Sequence, residues 1–167
     1  MKRSLHGRVL GALGLAAMAA CGDSPAAPAP TGMNAVSVIS VDVPNGGTAA
    51  SDQFYVNATV QFQATSDLRV PTTIGGFPVA VSYAVFVCLS VDGSHISNTC
   101  QSVSGTENVA HSVAVLGPDA RRNGPTQTDY VVAFMINARD IQAFVAGTSV
   151  AAFALAQDIK PWVISWQ

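Results

Sequence analysis

From Val79 to Val91 the chain alternates. Val79, Val81, Tyr83, Val85, Val87, Leu89 and Val91 occupy one set of positions, and Ala80, Ser82, Ala84, Phe86, Cys88 and Ser90 the other. Successive side chains of a strand point to opposite faces, so a period of two predicts a β-strand whose heavier face enters a core. Phe54, Val56, Ala58, Val60 and Phe62 repeat the pattern, as do Val109, His111, Val113 and Val115. Tyr130, Val132, Phe134 and Ile136 repeat it again. Shorter candidates are Val36 to Val43, Val150 to Ala156 and Trp162 to Trp166.

Turn chemistry separates these runs: Pro44-Asn45-Gly46-Gly47, Gly75-Gly76, Asp92-Gly93, Gly117-Pro118-Asp119, Asn123-Gly124-Pro125 and Gly147. Only Ala138 to Ala146 has a spacing that suits a turn or two of helix. The expected fold is all-β, an antiparallel sandwich of about seven to nine strands. This pattern, from about Ala35 to Gln167, resembles the immunoglobulin-like sandwiches of bacterial surfaces. The antibody-type Cys…Trp…Cys framework is missing, and a closed barrel or jelly roll is the alternative. The lighter strand faces carry mostly Ser, Thr, Ala, Asn and Gln, so they are expected to face solvent.

The first twenty residues have a different pattern. Lys2, Arg3 and Arg8 precede Val9 to Ala20, which are uniformly apolar. A bilayer-spanning helix needs about 20 apolar residues, so this shorter run reads as an export signal. Ala17-Met18-Ala19 fits one kind of cleavage site and would leave a soluble protein. Met18-Ala19-Ala20-Cys21 resembles the lipobox of bacterial lipoproteins, and that resemblance implies lipidation of Cys21 and an anchor in the membrane. Cysteine arithmetic favours the second reading, because Cys21, Cys88 and Cys100 are an odd set for an exported chain. Residues 21–34 then form a Pro- and Ala-rich tether without apolar periodicity, expected to be disordered, and residues 35–167 form the domain. The lipoprotein resemblance further implies the outer membrane, since Gly22 rather than Asp follows the cysteine.

Charge removes one class of function. Beyond residue 20 the chain carries ten acidic residues against five basic ones, Arg69, Arg121, Arg122, Arg139 and Lys160. A footprint for nucleic acid is absent from that balance. Cys88 and Cys100 bracket a hairpin whose symmetric register puts Gly93-Ser94-His95 in a three-residue loop and the sulfurs opposite each other. The bridge would lie on the Phe86 and Ser90 face, away from the valine-rich one.

Little chemistry stands out. His111 sits within an alternating strand, and His95 at a loop tip. There is no Gly-x-Ser-x-Gly, Glu107 is the sole glutamate, and the aspartates are scattered beside turns. Neither a metal site nor a cofactor is expected, and no catalytic residue is assigned. Arg121 and Arg122, in the long connection from Gly117 to Thr128, are the candidate contacts for a protein or glycan partner. Trp162 and Trp166 share a face by spacing and serve either the core or a sugar platform. The expected function is a non-enzymatic envelope lipoprotein with an interaction or structural module. A ligand- or glycan-binding module is the alternative, and a hydrolase with an unrecognised site the third.

Overall fold

A computed structural model describes residues 32–43, 48–49, 55–96, 99–117, 126–144 and 149–166. The export signal, Cys21, the tether to residue 31, and Arg121 and Arg122 lie outside the described residues. Among the described residues ten strands follow in order: β1 (Ala35–Asp42), β2 (Thr48–Ala49), β3 (Tyr55–Gln63), β4 (Thr72–Ile74), β5 (Phe77–Val79), β6 (Tyr83–Ser90), β7 (Cys100–Val103), β8 (His111–Leu116), β9 (Thr126–Asn137) and β10 (Ala154–Trp166). Seven of them have four residues or more.

Two sheets form the sandwich, ordered β1-β3-β8 and β2-β10-β9-β6-β7, and β4-β5 is a separate hairpin. Pairing is antiparallel except where β2 meets the end of β10. The order matches the immunoglobulin arrangement, with β1, β3 and β8 as one sheet and β6, β9 and β10 at the heart of the other. The inter-sheet core uses the predicted faces of β3 (Val56, Ala58, Val60, Phe62) and β6 (Val85, Val87, Leu89), closed by Trp162 and Ile164 of β10. Each fully buried side chain of this kind stabilises by about 1.5–3 kcal/mol.

The β9 strand corrects one expectation. Its heavier set, Val132, Phe134 and Ile136, faces away from the other sheet; Val131, Ala133 and Met135 fill the inter-sheet core instead. Both sets are fully buried because two described stretches after β9, residues 138–144 and 149–153, cover the outer face and together form a strap. Phe144 packs 5.0 Å from Phe134 and 6.2 Å from Phe86, and Phe153 stands edge-on to Phe144. The lighter faces are therefore not generally solvated: the lighter face of β6 (Ala84, Phe86, Cys88) joins the heavier set of β9 in a second core. The turn or two of helix expected over Ala138 to Ala146 is a 3-10 turn, Ala138–Asp140, capped by the Asn137 side chain accepting from the Arg139 N–H. Turn bonds from the Ala143 and Phe144 N–H groups to the Asp140 carbonyl follow it, and residues 145 and 146 lie outside the described residues. Burying Ile141 and Phe144 against the sheet decides the path of the strap.

Two further boundaries differ from the sequence pattern. The Val79–Val91 alternation is two strands, β5 and β6. They are split at Ser82, whose N–H donates to the Leu68 carbonyl and whose own carbonyl accepts from Ala138 N–H. The period of two survives because the break falls between strands on either side. Conversely, the two C-terminal candidates are one strand, β10, preceded by a 3-10 turn at Val150–Ala152. Pro161 is tolerated within it because β10 pairs with β9 on one side and meets β2 only at Ser165 and Trp166. Along the open side, inward charges tie the sheets together. Asp158 Oδ2 accepts from Val38 N–H at 2.7 Å, and Lys160 Nζ donates to the Ile39 carbonyl at 2.7 Å, where β1 bulges. Such charges protect an edge from pairing with another chain.

Cys88 and Cys100 are bridged and directly opposed, with Cα atoms 4.2 Å apart. The bridge lies in the second core with Phe134 and Ile96, on the face expected. The three-residue loop is not formed. Pairing of β6 with β7 stops at the cysteines while β6 continues to Ser90 against β9, and His95 bridges to Ser149. Burial of Ile96 under the strap draws the loop off the hairpin axis.

Candidate functional site

Three connections meet at one end of the sandwich: 64–82 after β3, 104–110 before β8, and the start of the strap after β9. Glu107 organises them. Its Oε1 accepts from Arg69 Nε and from the Tyr83 hydroxyl, each at 3.0 Å. Its Oε2 accepts from Arg69 Nη2 at 2.7 Å and from Ala64 N–H at 3.1 Å. Arg69 Nη2 also donates to the Ala64 carbonyl at 2.6 Å. Burial works to raise the Glu107 pKa, but the bonds from Arg69, Ala64 and Tyr83 outweigh it and hold the carboxyl below its usual range. Burial, and then the bond to Glu107, push Tyr83 up to about 12. The bidentate pairing is the strong form of an arginine–carboxylate contact, and here it staples two loops to the sheet.

His111, the first residue of β8, stacks on Phe62 at 5.5 Å, and Phe62 in turn meets Tyr83 edge-on. Its Nε2 lies 2.8 Å from the Thr106 carbonyl. A carbonyl only accepts, so Nε2 carries the proton. Gly105, at φ +141°, passes so close that a Cβ would lie 2.3 Å from His111 Cε1. Only glycine permits both that backbone angle and that approach.

Beside these groups the surface is concave. An apolar cavity of about 330 Å³ lies between the β4–β5 hairpin and the body, walled by Phe62, Ile74, Val79, Val81, Tyr83 and Ile141. A second hollow of about 290 Å³ runs between β7 and β8 past Gln101, His111 and Ser112 and shares Ser102, Val103 and Ser104 with the cavity as lining residues. Among the described residues, β7 and β8 end their sheets on this side. The hairpin belongs to neither large sheet, and its Gly75-Gly76 turn uses positive φ angles of +55° and +88°.

Of the sequence candidates, His111 lies at this site, and Trp162 and His95 are placed elsewhere. Trp162 is buried in the inter-sheet core, and the Trp166 side chain lies outside the described residues, so no sugar platform is described. His95 belongs to a turn knotted by Asp92, which accepts from the backbone N–H of His95 (2.9 Å) and Ser94 (2.8 Å) and faces His95 Nδ1 at 2.9 Å. Those bonds, the His95 backbone first, hold the Asp92 carboxyl well below the usual range. Arg121 and Arg122 are outside the described residues. Sequence reasoning missed Arg69, Tyr83 and the hairpin. The available signal was that Glu107 is the sole glutamate and Arg69 the sole arginine between Arg8 and Arg121.

Among the described residues, no three His, Cys, Asp or Glu side chains group as metal ligands, and no helix is long and apolar enough to cross a membrane. No protein-family model matches the chain, and no curated protein matches it.

Proposed function

We propose that the protein is a lipid-anchored envelope protein, attached through Cys21 to the outer membrane, which displays a non-catalytic β-sandwich as an interaction module. The carrying observation is the Cys88–Cys100 bridge. It consumes both cysteines of the domain and leaves Cys21, at the seam between the apolar leader and the tether, as the third. Thiols of exported proteins tend to pair or be modified. The module part of the reading is supported by the polar groups at the loop end: Glu107 spends its oxygens on Arg69, Tyr83 and the Ala64 backbone, and His111 is tied to a carbonyl. Such groups hold loops in place, and the sheets carry them as a rigid scaffold. A protein or glycan of the envelope is the proposed partner. The deciding experiment is metabolic labelling with a fatty acid together with membrane fractionation of wild type and Cys21→Ser.

A further inference from the structure

We infer that the hollow at the loop end binds a small neutral amphiphile, with its apolar body under the β4–β5 hairpin and its uncharged polar head between β7 and β8. The cavity has the size and apolar lining typical of ligand sites. An apolar cavity of about 150 Å³ takes a benzene ring, so the volume of about 330 Å³ here suits a body of about eight carbons. The cavity and the polar hollow share Ser102, Val103 and Ser104 as lining, so they adjoin, and the inferred molecule reaches from one into the other.

The chemistry of the head follows from the lining. Gln101, Ser102, Ser104 and Ser112 offer hydroxyl and amide groups, which donate and accept, and none carries a charge. The nearby charges, Arg69 and Glu107, neutralise each other in a bidentate pair. A hydroxyl-bearing or amide head is matched by this surface, whereas a carboxylate or phosphate meets no lysine or arginine among the described residues that line it. The hairpin forms its own sheet and presents Ile74 and Val79 to the cavity, so it can shift as a unit to admit the apolar body.

The test uses octyl β-glucoside below its micellar concentration, titrated into the purified full-length protein and followed by amide NMR shifts. Saturable shifts are expected at Ile74, Val79, Ser102, Ser104 and Ile141, and methyl β-glucoside, which lacks the apolar body, should produce none. Sodium octanoate, with the same chain length but a charged head, should bind more weakly. Ser104 is exposed, so Ser104→Trp should leave the fold intact while blocking the mouth and weakening binding by about tenfold or more. Shifts confined to residues 1–31, octanoate binding as tightly as the glucoside, or a Ser104→Trp titration equal to wild type would overturn the assignment. Membrane attachment through Cys21 is read separately by lipid labelling, so either conclusion can fail without the other.

Discussion

Glu107 holds three separate pieces of chain with one carboxylate. Hydrogen bonds to a charged group contribute about 1.5–3 kcal/mol, and half-exposed Arg69 contributes less than a buried partner would. Glu107→Gln should lower stability by about 1–3 kcal/mol. Its folded pKa is depressed, so the stability it supplies is present above about pH 4.5 and lost as pH falls through the lower folded value. Tyr83 acts at the other end of the scale. Its pKa rises from 10.0 to about 12, so its contribution is complete below pH 10 and fades as pH climbs toward 12. Tyr83→Phe should flatten that alkaline slope in denaturation curves recorded across pH, whereas an unchanged slope would assign it to another group. At Gly105 the constraint is steric: Gly105→Ala meets both the His111 ring and an unfavourable φ, and a loss of about 1–3 kcal/mol is expected in urea titration.

Among the elements, the strap and β7 depend on each other. The bridge fixes the register of β7 on β6, and its sulfurs lie under the strap in the second core. Replacing both cysteines with alanine should cost about 2–5 kcal/mol and expose Ile96, which a rise in binding of a hydrophobic dye would report. Phe144→Ala removes the ring that meets Phe86, Phe134 and Phe153. Because Phe144 is only half-buried, the cost should fall near or below the lower end of the 3–5 kcal/mol typical of core phenylalanines, about 2–3 kcal/mol. Amide exchange should then accelerate along β9 and the strap before it does in β3. The alternating strands β1, β3, β6 and β8 were legible because one face of each is core and the other lighter. β9 was legible as a strand but not in its orientation. A strand buried on both faces gives an unbroken apolar run, VVAFMI, whose two sets of residues cannot be ranked by weight alone.

At the scale of the whole molecule, an anchored sandwich makes a direct demand on the leader. Wild-type protein should sediment with membranes and incorporate labelled fatty acid, and Cys21→Ser should abolish labelling; wild-type protein released intact and starting at Ala20 would rule the anchor out. The all-β class, the Cys88–Cys100 pairing and the face that carries the bridge follow from periodicity and spacing, because a two-residue repeat and hairpin symmetry are properties of the local chain. The choice of a sandwich over a closed barrel or jelly roll came instead from the strand order. The loop-end hollow was not legible in this way. Arg69 and Tyr83 lie 38 and 24 positions before Glu107 yet share its carboxylate, and no local pattern marks residues that meet only after two sheets have packed. The cover on the outer face of β6 and β9 likewise depends on where a weakly helical segment finds apolar surface to bury. Tertiary structure decided these contacts because burial is non-directional: it rewards any path that removes Phe144, Phe153 and Ile141 from water, and only the assembled sheet offers that path.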